Sequence, residues 1–454
     1  MLMAFIRKLS ILSAVVCVAS GLAAQQTTIL HNATLIDGSG APAREHVDII
    51  FQDGLIAKIV SAEPVKPAGA EWIDCTGKTV MPGLISAHSH VGVLKDNAEN
   101  SATAYTVENV TAALKQFERY GVTTVLTLGM NRDLVYTLRE QQHAGSVGGS
   151  TMLTAGRGIG VPKGAPPVAA APDQVDRPAT AEEARRDVDA FAEHHADIVK
   201  IWVDPLHGKA PKMDPAIYAA VIGEAHRKHL HVAAHEYALD DARQLVSDGI
   251  DVLAHSVRDK PVDDAFVQAM LQHHTWYIPT LALDEAFYIY AEDPVIVKSE
   301  FFRQAAGPAL LAKLEAPGFS AKTLADPATK QHEEDEAMAR KNLKTLYDAG
   351  VLIASGTDSG AMAGRVPGFS EHRELEDLVA AGLTPLQAIA DATGSTGVLM
   401  HALDPTVNVG LISPGFSADV LVLDADPLAD IRNTRKIAAI YHHGRRVADP
   451  APQD

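Results

Sequence analysis

From Met81 to His401 short apolar runs alternate with longer helix-like stretches, and few folds accommodate that rhythm over so many residues. The runs are Leu84–His88, Val122–Leu128, Thr151–Thr154, Ile198–Val203, His231–His235, Val252–His255, Trp276–Thr280 and Leu352–Ser355. Most are followed by stretches such as Asp214–His229, Leu239–Ser247, Asp263–Gln272 and Asp335–Asp348. Repeated strand–helix units set parallel strands side by side under a cover of helices. Eight of them predict an α/β fold of the (β/α)8, or TIM, barrel type. A doubly wound open sheet is the alternative, but no glycine-rich dinucleotide fingerprint follows any of the runs.

The flanks have a different texture. Thr28–Leu30, Ala33–Ile36, Val47–Gln52, Leu55–Val60 and Trp72–Asp74 read as short strands separated by turns such as Asp37-Gly38 and Asp53-Gly54. Ala418–Leu423, Ile437–Tyr441 and the turn His443-Gly444 repeat that texture near the end of the chain. The expected layout is a barrel over residues 81–401, flanked by one small β-sandwich domain built from residues 25–80 and 402–454. With 47% hydrophobic residues in 454, the chain has the apolar material for both cores. Two long connections, Ala144–Thr180 and Leu283–Glu334, follow strands. In a barrel they would lie on the catalytic face, where they could act as lids.

Residues 1–24 read as a secretory signal peptide. Arg7 and Lys8 precede the apolar run Leu9–Val18, and small residues close it at Ala19, Ser20, Gly21, Ala23 and Ala24. The run is too short to span a bilayer, so a secreted or periplasmic protein without stable membrane insertion is expected. Of the two cysteines, Cys17 falls in this segment, which leaves Cys75 alone and rules out an intramolecular disulfide after processing. The net charge of −18 excludes a general affinity for nucleic acid or anionic membranes. The expected partner is a small molecule, and a homo-oligomer is the expected assembly.

Chemistry-bearing residues collect at the ends of the runs. The first ends in His88-Ser89-His90, and i, i+2 spacing in an extended strand puts both imidazoles on one face. A lone His-x-His says little, since histidines are common in this chain, among them the pair His442-His443, which is expected to be solvent-exposed. The fourth run carries Lys200 among apolar neighbours, a costly placement for a charge without a role. The fifth ends at His235, the sixth at His255, and the eighth leads into Gly356-Thr357-Asp358. Together these ends deliver four histidines, a lysine and an aspartate to one rim.

The segment Val80-Met81-Pro82-Gly83-Leu84-Ile85 leading into His88-x-His90, with His235, His255 and Gly356-Thr357-Asp358, resembles the amidohydrolase superfamily. The blocks GKTVMPGLISAHSH, ADIVKIW and SPGFSADVLVLD look most like its imidazolonepropionase-like and prolidase-like (Xaa-Pro dipeptidase-like) branch. The resemblance implies a binuclear centre in which His88, His90 and Asp358 hold the more buried metal and His235 and His255 the more exposed one. It also implies that Lys200 bridges them as a carboxylated lysine, because a free ammonium has no lone pair to offer. Imidazole and carboxylate ligands suit Zn²⁺ best, with Mn²⁺, Fe²⁺ or Co²⁺ as alternatives. One position departs from the pattern: where many relatives carry an acid two residues before the first metal histidine, this chain has Ser86.

The implied activity is hydrolysis of an amide-type C–N bond by water that the metal activates, with Asp358 as catalytic general base. Substrate contacts are expected from Tyr237, Arg258, Arg157 and His207, with Trp202, Asp204 and Glu236 also near ligands. An Arg and a Tyr together suit a substrate carboxylate, as in a dipeptide or N-acyl amino acid. A lactonase, esterase or phosphotriesterase is the alternative use of the same centre. A cyclic-amide ring opener is a third, and a non-catalytic binding scaffold would be expected to lack ligands that are all present here. Neither a G-x-S-x-G elbow nor an H-E-x-x-H motif occurs.

Overall fold

Two parallel sheets carry the middle of the chain in the computed structural model, which describes residues 27–63, 65–167 and 170–453. The segment expected to direct secretion lies outside the described residues. One sheet orders the strands Thr151–Thr154, Val122–Thr127 and Leu84–Ser89; the other orders Val199–Trp202, Val232–His235, Val252–Ala254 and Trp276–Ile278. Between them, Asp197 N–H donates to Thr154 C=O at 3.0 Å, and a parallel bridge joins Ile159 to Ile201. Residues 352–359 run between the last strand and the first, with parallel bridges Tyr277 to Ile353 and Ser89 to Ser359.

That stretch corrects the expected eighth strand, Leu352–Ser355. It makes single bridges instead of a regular strand, because Ser355 N–H turns to Thr396 Oγ1 and Asp358 adopts a left-handed backbone, φ 57°. Another difference is the helix expected at Asp335–Asp348, which begins at Pro327, where Asp326 caps the first turn and Pro327 needs no N–H partner. Helix Leu239–Ser247 has the expected bounds.

Every residue of Leu84–Ser89, Val122–Thr127 and Val199–Trp202 is buried, as parallel strands covered on both faces require. One face packs into the helices. The other forms a separate core that includes Ile85, Ala87, Leu126, Ile198, Ala233 and Ala254. Lys200 and His235 continue the alternation begun by Ile198 and Ala233, so the backbone itself aims them at that inner face.

Both chain ends enter a single eight-stranded sheet. Thr79–Pro82 pairs in parallel with Thr27–Leu35 and antiparallel with Val420–Leu423, and residues 55 and 417 bridge across the far edge. Leu30, Phe51, Val80, Val422 and Tyr441 meet in its core. The expected break between Thr28–Leu30 and Ala33–Ile36 is an irregularity within one strand, at the left-handed Asn32. Thr79–Pro82 leads through Gly83 straight into the first parallel strand, so this sheet fixes where His88 begins its approach. Among the described residues no helix is long and apolar enough to cross a membrane.

Gly356 is required where the eighth segment meets the first strand. A Cβ there would lie 2.7 Å from both His88 N and Ile278 Cγ2. We expect Gly356→Ala to lower unfolding free energy by about 1–3 kcal/mol, as overpacking does, read by denaturant titration against wild type.

Candidate metal centre

His88 and His90 reach the same carboxylate. His88 Nε2 lies 3.3 Å and His90 Nε2 2.9 Å from Asp358 Oδ1, and both imidazoles are buried. Simple alternation along the first strand does not produce this alone. The register against Val122–Thr127 shifts between Ser86 and Ser89, a bulge that re-aims the strand end. His90 Nδ1 faces Gly129 C=O at 3.1 Å, which fixes that ring, whereas the buried His88 Nδ1 has no hydrogen-bond partner among the described residues.

His255 packs on His88 with ring centroids 4.6 Å apart, and on His235 at 4.4 Å. Its Nδ1 lies 2.8 Å from Thr280 Oγ1, and His235 Nε2 lies 3.2 Å from Asp204 Oδ2. Ligand-type atoms of His88, His255 and Asp358 all lie within 4.8 Å of one another. Lys200 is fully buried, 5.7 Å from the Trp202 ring, and its Nζ has no hydrogen-bond partner among the described residues. The nearby acid Asp204 is taken by His235.

The protonation pattern suits a cation. Burial, reinforced by Lys200, pushes the His88 pKa down to about 3, and burial also holds His255 well below the imidazole range. Burial pulls Lys200 down to about 7, against Asp358 and Glu236. For Asp358 burial acts the other way, but Arg365, His88 and His90 outweigh it and keep the carboxyl well below its usual range. Neutral imidazoles beside an ionised carboxylate are the ligating forms of both groups. The orphaned His88 Nδ1 and Lys200 Nζ, in a pocket of N and O donors, fit a transition-metal site.

The expected substrate residues have definite partners. Arg258 is buried, donates to Asp284 at 2.7 Å and lies over the Tyr237 ring at 5.2 Å. The Tyr237 hydroxyl donates to Asp335 at 2.7 Å, and His207 packs edge-on against that ring at 4.7 Å. Tyr237, Arg258, Gln331, Asp335 and Lys341 line a pocket of about 490 Å³. Arg157 is held by Asp133, at 2.6 Å, and Asp176, at 3.2 Å. Glu236 is buried with both carboxylate oxygens unpartnered among the described residues, and Trp202 is buried as packing.

Three further residues adjoin the centre, and only Thr280, at the end of the seventh run, stands where the sequence pattern points. Arg365 pairs with Asp358 Oδ2 from the loop that follows the eighth segment, and Thr280 and Glu371 stand behind the ligands. A loop arginine and the third residue of a helix carry no periodic signal, so only the folded chain brings them in.

The histidine pair His442-His443 needs correction. His442 is buried, with Nδ1 2.7 Å from Glu118 Oε1 and Nε2 3.1 Å from Thr151 Oγ1; only His443 is exposed. It lines a cavity of about 1450 Å³ beside Thr151, at the start of its strand and far from the ligand-bearing strand ends. His194, His195, His226, His229, His273 and His274 are exposed.

Parallel strands that present imidazoles and a carboxylate at one end define a metal-dependent hydrolase of the TIM-barrel type. The chain belongs to the amidohydrolase family, whose model matches residues 79–447, and is a hydrolase acting on C–N bonds. It is similar in structure to a putative prolidase from Bifidobacterium longum, with TM-score 0.73 and 26% identity over 94% of this chain and 96% of that one. A Xaa-Pro dipeptidase with bound methionine superposes with TM-score 0.71 at 22% identity, over 93% of this chain and all of the other. Ochratoxinase of Aspergillus niger is 24% identical over 92% of this chain and 85% of its own length.

Asp284 supplies a pH prediction. Burial alone would raise its pKa, but Arg258 and His332 outweigh burial and bring it down to about 2. Because the folded value lies below the unfolded one, near 3.9, its stabilisation is complete above that pH and lost as pH falls through about 2. Acid unfolding should therefore include a loss on the order of 2 kcal/mol. Titrating the Arg258→Met/Asp284→Asn double variant, which removes both charges of the pair, should show that segment missing.

Proposed function

We propose that this chain hydrolyses the amide bond of a small substrate that carries a carboxylate, in the class of dipeptides or N-acyl amino acids. The observation that carries the reading is the convergence of His88, His90 and His255 on Asp358, with His235 packed alongside and Lys200 buried without a partner. His88, His90 and Asp358 would hold one Zn²⁺, His235 and His255 a second, and Lys200 would bridge them after carboxylation. A nitrogen with a pKa near 7 has the neutral form that reacts with CO₂. When bound, such ions supply Lewis acidity that acidifies water and draws electron density from the scissile carbonyl.

Asp358 accepts the proton of the attacking water and returns it to the leaving nitrogen. His90, braced by Gly129, and His255, braced by Thr280, keep their rings in one orientation through the reaction. Arg258 and Tyr237, with His207 packed against Tyr237, would exchange their present acceptors, Asp284 and Asp335, for the substrate carboxylate. Similarity to proteins named as prolidase, Xaa-Pro dipeptidase and ochratoxinase supports the amide class.

The architecture belongs to the same reading. The strands form a closed eight-membered barrel, supported by the links Thr154–Asp197, Tyr277–Ile353 and Ser89–Ser359. Residues 25–80 and 402–454 make one split β-sandwich domain beside it, supported by their shared sheet and core. Export rests on the basic and apolar segment that ends near Ala24.

Purified, Zn²⁺-loaded protein should turn over dipeptides and N-acyl amino acids with the highest kcat/KM, and lose most of it when the substrate carboxylate is amidated. Faster turnover of a lactone or aryl phosphotriester panel, or indifference to amidation, would overturn the substrate class. Asp358→Asn should cost several orders of magnitude in kcat with metal largely retained; near-normal kcat would remove Asp358 from the reaction. Lys200→Ala should drop the zinc content from two equivalents toward one, read by elemental analysis.

A further inference from the structure

We propose that Glu371 is the positioning residue of the metal centre: a buried carboxylate that locks the first strand to the eighth segment and sets Asp358. The proposal rests on the reading of His88, His90 and Asp358 as metal ligands.

Glu371 belongs to helix Phe369–Ala380, on the far side of the ligands, and is buried. Its Oε1 accepts from Thr357 Oγ1 at 2.6 Å, Ser359 Oγ at 2.7 Å and Ser86 Oγ at 3.1 Å. Its Oε2 accepts from Gly368 N at 2.7 Å. None of these four donors carries a charge, so the carboxylate is held by hydrogen bonds alone. The three hydroxyls are placed with purpose. Ser86 lies two residues before His88, and Thr357 and Ser359 stand on either side of Asp358.

That placement matters because Asp358 is bent. Its φ of 57° lies in the left-handed region, which a non-glycine residue adopts at a cost. Relaxation would swing its carboxylate away from His88 and His90. With its two neighbours tied to one buried oxygen, the residue between them cannot relax without breaking both bonds. The third bond, to Ser86, ties the same oxygen to the strand that bears the histidines. The backbone repeats the arrangement, since Asp358 N–H donates to His88 C=O at 2.9 Å and His90 N–H to Ser359 C=O at 2.7 Å. A single acid thus does from a helix what an acid at position 86 would do from the strand itself.

The test compares wild type, Glu371→Gln, Glu371→Ala and the double variant Ser86→Asp/Glu371→Ala, which moves the carboxylate across the 3.1 Å contact. Each is titrated with Zn²⁺ against a chelator and assayed for kcat and KM, with melting of the metal-free protein followed alongside. We expect both single variants to bind Zn²⁺ about 10- to 100-fold more weakly and to lose kcat with little change in KM. We expect the double variant to recover most of the affinity. Single variants that match wild type in Zn²⁺ affinity and kcat would overturn the proposal and leave the metal centre standing. Loss of folding in the single variants, with no recovery of affinity in the double, would also overturn it, since the role would then be purely structural. A wild-type chain that takes up no Zn²⁺ would overturn the reading of the centre itself.

Discussion

The close approach of residues 355–359 to the first strand governs the geometry of the site. Ala87 N–H donates to Ser355 C=O, Thr357 and Asp358 N–H both reach His88 C=O, and His90 N–H reaches Ser359 C=O. Such a seam needs a residue without a Cβ at 356 and a left-handed backbone at 358. Once both are met, the Asp358 carboxylate has only one place to go, between two imidazoles whose strand end has been turned by a bulge. The remaining groups arrange themselves around that carboxylate. His255 packs tilted on His88, His235 packs edge-on against His255, and Arg365 takes the outer oxygen.

The arrangement is expensive in the absence of a cation, and the cost identifies its use. Three imidazoles, of which burial holds His88 and His255 below the usual range, are buried with a lysine nitrogen and an ionised carboxylate, and some of their polar atoms have no partner among the described residues. A stability-optimised interior would replace such groups with apolar ones, because burying unpaired polar atoms costs more than any single hydrogen bond returns. A divalent ion reverses the balance, since the lone pairs that burden the fold become its ligands. Arg365 carries part of the load through its pairing with Asp358, and its charge keeps that carboxylate ionised.

Much of this was legible before folding, and the part that was not has a physical reason. Lys200 and His235 obey strict alternation with Ile198 and Ala233, so period-two reasoning alone points them inward. His88, His255 and Asp358 were recognisable as residues at strand ends, but their final aim depends on departures from regularity: a register shift, a strand that stops at Ala254, and a positive φ. No periodicity encodes those. Arg365 and Glu371 were invisible for a related reason, because each acts across a sequence gap through contacts made only in the folded chain. The eighth strand failed as a regular element because the seam gives up ladder hydrogen bonds to gain the turn at Asp358. The tightest part of the site is therefore the part that local rules describe least well.

Histidine density is a poor guide to chemistry in this chain, and partner accounting is a better one. At the other end of the strands His442 and His443 also stack, with ring centroids 4.3 Å apart, and Asp419 lies close by. There every ring nitrogen is matched: His442 to Glu118 and Thr151, His443 to Ser417 and Thr151. Alternating donors and acceptors satisfy both imidazoles, although Asp419 Oδ2 has no partner among the described residues, and the pair joins the terminal sheet to the strands. At the strand ends that carry Asp358's neighbours the same residue type leaves His88 Nδ1 open beside an unpartnered Lys200. Two clusters of similar composition thus differ in whether the protein completes the hydrogen bonds of its nitrogens, and the one with open nitrogens is where a cation gains most.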